Sequence, residues 1–269
     1  MRLSLLILLF LCLATPFAGA KELEVAIGVK SPLELRQPNS STPPAGGSSE
    51  INRFNEAIAR EICHRLVVRC NLHFVTFAEI LPGVESQRYQ LGFGNFLRTP
   101  ERSLRVSFSD ALWRSSSRLV STEESLRKYH FPTGQELTLD SLSNVRVATI
   151  TASQQHRYLE RIASQRGITV VALTTPAEVF EALRDNTVDF VLVVSLLAYE
   201  QIKTEDPQMR RYRYVGPGIT GHLLGGSVHI ALPPGAHTLQ REVNRAILEM
   251  RNDGTYNRIA MQFLPINPD

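Results

Sequence analysis

The hydrophobic pattern of this chain switches repeatedly between a short and a long period. Leu23 to Val29 (Leu-Glu-Val-Ala-Ile-Gly-Val) alternates loosely and predicts a buried first strand. Lys30-Ser31-Pro32 breaks it, and residues 37–49, rich in Pro, Asn, Ser, Thr and Gly, predict a loop. From Ile51 to Leu66 the apolar residues Phe54, Ala57, Ile58, Ile62 and Leu66 share one face of a predicted helix. The polar residues Arg53, Glu56, Arg60, Glu61 and Arg65 fall on the other. A strand over Leu72–Phe77, a short helix over Ala78–Gln87 and a strand over Leu91–Phe96 follow.

The same order then recurs. Val145–Ile150 predicts a strand, Gln154–Arg166 a helix and Thr169–Leu173 a strand. Thr175-Pro176 caps a helix over Ala177–Asn186, Asp189–Val194 reads as a buried strand, and Leu196–Lys203 as a helix. Beyond the Gly-rich stretch Gly216–Gly226, Val228–Leu232 alternates as a strand. Helices over Leu239–Arg251 and Arg258–Phe263, divided by Asp253-Gly254-Thr255-Tyr256, close the chain. Strands alternating with helices predict an α/β fold, and the repetition predicts two similar lobes, each a mostly parallel sheet flanked by helices.

The N-terminus changes the cellular setting. Arg2 precedes an apolar run over Leu3–Ala14, and Ala18-Gly19-Ala20 has the small-x-small form of a cleavage site, so residues 1–20 read as a secretion signal. That run is too short for a lasting span, and the expected product is soluble, exported to the periplasm and monomeric. Cys12 leaves with the leader. Cys63 and Cys70 remain, with six residues between them. In an oxidising compartment a disulfide is their simplest fate. Metal binding is the rival, because His64 and His73 lie close, but no second ligand pair completes a tetrahedral site.

Composition excludes more than it identifies. The 269 residues are 43% hydrophobic and 20% charged, as in an ordinary globular protein with a sizeable core. A formal net charge of +3, with scattered arginines and no aromatic-basic platform, gives no footprint for nucleic acid. No Ser-His-Asp set, metal pair, phosphate loop or cofactor motif stands out.

Candidate chemistry concentrates in Arg98–Val120. Thr99-Pro100 is a helix-start signal that places Arg102 just inside a short helix, where a planar guanidinium makes a good carboxylate clamp. A surface arginine beside Arg98, Arg105 and Arg114 is the simpler reading. The segment Thr99-Pro100-Glu101-Arg102 with Phe108-Ser109-Asp110 resembles the amino-acid class of periplasmic substrate-binding proteins, the receptors of ABC importers. Three further stretches share the resemblance. Phe54 to Cys63 with Cys70 is similar to the lysine/arginine/ornithine and histidine branch, whose members carry a cystine at this spacing. Ala177–Leu183 with Val188-Asp189 resembles a second-lobe unit, and Asn244–Ile247 with Asp253–Tyr256 the closing helix.

The resemblance implies a type II periplasmic-binding-protein fold: two lobes joined by two crossover strands, near Ser117–Ser121 and Ser227–Leu232, with the ligand between them. It divides the chain into residues 21–119 plus 227–269 and residues 120–226. It implies no catalysis, no cofactor and no metal, a small carboxylate-bearing ligand (amino acid or organic acid), and an ABC permease as partner. It also implies a ligand set, residue by residue. Arg102 grips the carboxylate, with Thr99 of the same motif; Ser153 meets it from a helix start, or is a plain N-cap serine. Phe77 is the apolar wall and Asn95 the cleft floor. Val194 stands where the family has an ammonium-binding Asp, Leu97 where it has Ser or Thr, Ile27 where it has an Asp for basic side chains, and Lys30 where it has an aromatic. An ammonium buried against Val194 and Leu97 would be unpaired, so a ligand without one fits better. Ser195, beside Val194, is a further cleft candidate. Two other readings of the fold are a sensory or interaction protein without a ligand clamp, and an exported dehydratase-like enzyme using Glu79 or Glu101 as general acid.

Overall fold

Alternation at the start of the chain makes β1 (Glu22–Gly28), which buries Leu23, Val25, Ala26 and Ile27. The computed structural model describes residues 21–29, 49–129 and 137–264, so the leader, Lys30 and residues 37–48 of the expected loop lie outside the described residues. Parallel strands β2 (Arg69–Val75) and β3 (Leu91–Leu97) flank β1. Between β1 and β2 runs α1 (Glu50–Arg65), whose apolar face (Phe54, Ile58, Ile62) is fully buried on the sheet. Ser49 caps it, its hydroxyl accepting from the Asn52 N–H at 3.2 Å. A Cys63–Cys70 disulfide ties the end of α1 to β2, with Cα atoms 5.9 Å apart. Next comes α2 (Phe77–Glu85), where the Glu79 carboxylate accepts from the Thr76 N–H at 2.9 Å.

After β3 the chain forms α3 (Pro100–Ser103), β4 (Ser107–Phe108), β5 (Trp113–Ser115), β6 (Ser117–Thr122) and α4 (Glu123–Lys128). The second repeat supplies β7 (Arg146–Ile150), α5 (Gln154–Arg166), β8 (Thr169–Leu173), α6 (Pro176–Arg184), β9 (Phe190–Val194) and α7 (Ser195–Glu205). The chain returns through β10 (Tyr212–Ile219) and β11 (Gly226–Leu232) to α8 (His237–Asn252) and α9 (Thr255–Phe263).

These strands build two sheets. One has the order β2-β1-β3-β11-β4, with β5 also on β11; the other has the order β10-β6-β9-β7-β8. Each is mostly parallel with one reversed strand: β11 runs antiparallel to β3, β4 and β5, and β6 antiparallel to β9 and β10. The reversed strand is in each case the one by which the chain enters that sheet. Ser115 pairs with Gly226 in the first sheet while Ser117 pairs with Val194 and Ile219 in the second. Outward passage therefore falls at Ser116, and the return falls between Ile219 and Gly226. Both positions lie slightly earlier than the stretches expected from sequence, which sit inside the sheets. The result is the two-lobed α/β architecture that the pattern predicted.

Among the elements that were not expected are the short strands β4 and β5, and β10 and α4. β10 reads Tyr-Arg-Tyr-Val-Gly-Pro-Gly-Ile, and its Gly-Pro-Gly end looks like loop. It survives as an edge strand, where a proline costs no ladder bond. α4 is a six-residue turn of helix too short to show a periodicity, started by the Thr122 hydroxyl accepting from the Ser125 N–H. The second sheet is pinned from below by Asp189, which is 3% exposed and accepts from Arg146 at its N–H (2.9 Å), Nε (3.0 Å) and Nη2 (2.8 Å).

Candidate ligand-binding site

Parallel strands of one sheet end together, and in open α/β sheets ligands collect beyond their carboxyl ends. Here the ends of both sheets face a common cavity. β3 contributes Gly94, Asn95 and Leu97, β7 contributes Thr149 and Ile150, and β9 contributes Val193 and Val194. Phe77, Arg102, Ser153, Gln154, Gln155 and Leu197 complete the lining. The cavity measures about 50 Å³. A second, of about 40 Å³, adjoins it and shares Phe77, Gly94, Asn95, Ile150 and Leu197. Gly28, Val29, Ile51, Asn52 and Pro176 line the rest. Pockets that hold small molecules usually span roughly 300–1,000 Å³, so a solute of that size enters only when the lobes part.

Arg102 is the outstanding group. Thr99 caps α3, its hydroxyl accepting from the Arg102 N–H at 3.2 Å, and Pro100 occupies the first turn. The guanidinium is thereby turned inward and is 3% exposed. Its Nη1 donates to the Leu97 carbonyl at 3.0 Å, while Nε and Nη2 have no partner. Two mutually packed aromatic rings stand beside it: its Cζ lies 5.3 Å from the Phe96 ring centre and 5.9 Å from that of Phe77, and the two ring centres are 5.1 Å apart. Gly94 allows this, because a Cβ there would lie 2.5 Å from the Phe96 ring. Burial, then repulsion from Arg157, pushes the Arg102 pKa down to about 10, with only Glu101 acting in the other direction. Glu101 itself pairs with Arg157 of α5. A buried cation with two bare donors is costly until an anion meets it.

The neighbouring polar groups point the same way. Gln154 Nε2 is a further buried donor without a partner, whereas Gln155 donates to the Ser117 hydroxyl at 2.8 Å and the Thr149 hydroxyl to the Leu192 carbonyl at 2.8 Å. Asn95 adopts a left-handed backbone (φ 54°), which asparagine tolerates, and its Oδ1 is a buried acceptor without a partner. No acidic side chain lines either cavity among the described residues.

The sequence-derived set is brought together in part. Arg102, Ser153, Phe77, Asn95, Val194 and Leu97 all line the main cavity. Lys30 lies outside the described residues. Thr99 is not among the lining residues; its hydroxyl is spent as the cap that positions Arg102. Ser153 lines the cavity and is also the N-cap of α5, accepting from the His156 N–H at 3.0 Å. Ser195 faces elsewhere: its hydroxyl bonds that of Ser116 at 2.7 Å, and it lines a separate cavity with Trp113, Arg118 and Tyr214. Ile27 is core. Gly94, Thr149, Ile150, Gln154, Gln155, Val193 and Leu197, and the residues that line the second recess alone, went unnoticed in the sequence. Their shared signal is position, just at or beyond the ends of parallel strands.

Contacts reach across the two lobes around this cavity. Besides Glu101–Arg157, the Glu200 carboxylate of α7 accepts from the Ile51 N–H at the start of α1 (2.7 Å), and Lys203 lies 3.3 Å from Glu50. Leu196, at the start of α7, is buried in the core of the first lobe.

Two lobes meeting at the carboxyl ends of their strands, with a buried cation between them, define a solute receptor of the periplasmic-binding type. The sequence model of the bacterial extracellular solute-binding proteins, family 3, matches residues 32–266, and the chain belongs to that family. It is 25% identical over 215 residues to the lysine/arginine/ornithine-binding periplasmic protein of Escherichia coli (strain K12), covering 80% of this chain and 79% of that one. It is 22% identical over 256 residues to the histidine-binding periplasmic protein of Salmonella typhimurium, covering 95% of each. Among solved structures, an ancestral arginine-binding protein bound to arginine shares the fold with a TM-score of 0.74 at 22% identity, covering 90% of this chain and 98% of that one.

Proposed function

We propose that this receptor captures a small solute by its carboxylate, with Arg102 as the clamp and lobe closure as the means of retention. One observation carries the reading: a guanidinium 3% exposed, at the meeting of two lobes, with two donors unspent. A carboxylate accepts from Nε and Nη2 side by side, the fork geometry that arginine favours. Gln154 adds a third donor. Ser153, Phe77, Asn95 and Val194 are the remaining contacts, and Thr99 acts by holding Arg102 rather than by touching the solute. The lobes are taken as residues 21–119 plus 227–269 and residues 120–226; sheet pairing supports that division to within a few residues.

The setting follows from the relatives, which are named as periplasmic binding proteins. The chain is read as exported through residues 1–20, periplasmic, soluble and monomeric. Among the described residues no helix is long and apolar enough to cross a membrane. An ABC permease is the natural recipient of the solute, because another relative, from Escherichia coli, is named as an ABC transporter arginine-binding protein. The receptor acts by binding and lobe movement rather than by catalysis. Both candidates for the general acid of a dehydratase reading are engaged elsewhere: Glu79 completes the capping box of α2, and Glu101 pairs with Arg157.

The test is a thermal-shift titration of mature protein and of Arg102→Met with small carboxylates. A solute at a hundred times its Kd should stabilise the wild type by about 2.7 kcal/mol, and the variant hardly at all. An equal shift in both would remove Arg102 from the site.

A further inference from the structure

Resting on that carboxylate reading, we propose that the solute is a monocarboxylic acid with no amine: an uncharged apolar body behind the carboxylate, with room for a hydroxyl but not for an ammonium. The site's own charge balance leads there. The main cavity presents a guanidinium with two unspent donors and the unspent amide donor of Gln154. Among the buried side-chain oxygens of the described lining residues, the one unspent acceptor is the neutral Oδ1 of Asn95. No carboxylate lines either cavity among the described residues; Glu101, beside Arg102 in α3, is already paired with Arg157, and Glu200 accepts from the Ile51 N–H behind the second recess. The aliphatic lining is Leu97, on the lobe of Arg102, with Val193, Val194 and Leu197 from β9 and α7.

A zwitterion placed here would satisfy Arg102 with its carboxylate and leave its ammonium buried among aliphatic groups. One amide oxygen compensates such a charge poorly, because desolvating a cation costs far more than a neutral hydrogen bond returns. A hydroxyl is a different case. It is neutral, it needs one acceptor, and Asn95 Oδ1 supplies it. The adjoining recess extends the same logic to the rest of the solute. Val29, Ile51, Phe77, Pro176 and Leu197 give it an apolar character, and among the described residues no acidic side chain lines it. The arginine, lysine and histidine named for the relatives therefore fit this cavity poorly at both ends.

Calorimetric titration of the mature wild-type protein with matched series separates the possibilities. One series is 4-methylpentanoate, 2-hydroxy-4-methylpentanoate and leucine; a second is 3-phenylpropanoate, phenyllactate and phenylalanine; arginine and lysine complete the panel. The amine-free acids should bind roughly ten-fold or more tighter than their amino acids, with the hydroxy acid at least equal to the plain acid. Val194→Asp should then invert the order by giving an ammonium its counter-charge. Tighter binding of any amino acid by the wild type would overturn this proposal and leave the carboxylate receptor intact. No binding by any carboxylate, amino acids included, would count against both. Should Val194→Asp fail to fold, the wild-type order decides alone.

Discussion

Replacing Arg102 by methionine should raise or preserve the stability of the unliganded protein while abolishing its response to carboxylates. The magnitudes come from the site. A guanidinium pKa pushed down to about 10, by burial first and by Arg157 second, corresponds to about 3 kcal/mol held against the charged form. Its one hydrogen bond, Nη1 to the Leu97 carbonyl at 3.0 Å, offsets about 1.5–3 kcal/mol of that. Methionine is of similar length and would lie against the packed rings of Phe77 and Phe96, both apolar. The balance is a gain of about 0–1.5 kcal/mol, or about 0–5 °C in Tm for a chain of this size. That is the reverse of the usual outcome for a residue buried this deeply, and it is the mark of a group kept for binding at the expense of stability. Differential scanning calorimetry of both proteins, with and without solute, gives the answer. A fall in Tm of more than about 5 °C in the variant would show that the guanidinium is a satisfied structural group, and the reasoning from its bare donors would fail.

Two further expectations concern the framework. Cys63→Ala with Cys70→Ala should cost about 2–3 kcal/mol by the chain-closure relation for so short a loop, read as a fall in Tm of about 5–10 °C. Thiol titration of the unreduced, unfolded protein should find neither cysteine free, and an unchanged Tm would show that the bridge contributes nothing. Asp189→Asn tests acid stability. Burial alone would raise the Asp189 carboxyl pKa, but the hydrogen bonds from Arg146 outweigh it and hold the pKa below the ordinary value. The unfolded chain therefore binds the proton more readily, so this contribution is complete above about pH 4 and is lost as pH falls through the lowered value. The variant should be about 2 kcal/mol less stable at pH 7 and show a shallower loss on acidification; parallel acid limbs would contradict the assignment.

How far the sequence foretold this differs between frame and site. The strong periodicities were sufficient for the repeats: α1 and the buried strands β1 and β9 formed where their patterns put them, because burial of one face or two dictates both the pattern and the element. Arg102 was legible because its helix start is written locally, in Thr99 and Pro100. The order of strands was not, since β6 and β11 are reversed by long-range pairing that no window of sequence records. β10 was hidden by its Gly-Pro-Gly end. The second recess was hidden for a different reason. Gly28, Val29, Ile51 and Pro176 carry no chemistry of their own, and they become a site only when strands from separate parts of the chain end side by side. Thr99 shows what local sequence can hide: its hydroxyl accepts from the Arg102 N–H, a supporting role that the motif alone does not display.

The most direct measurement is the 15N–1H spectrum of arginine side chains during titration with a carboxylate that releases heat on binding. The Arg102 Nε–H resonance, assigned by its loss in Arg102→Met, should move downfield and saturate with the calorimetric curve as the bare donor gains an oxyanion partner. Saturable heat with that resonance unmoved would mean that the solute binds elsewhere, and Arg102 would not be the clamp.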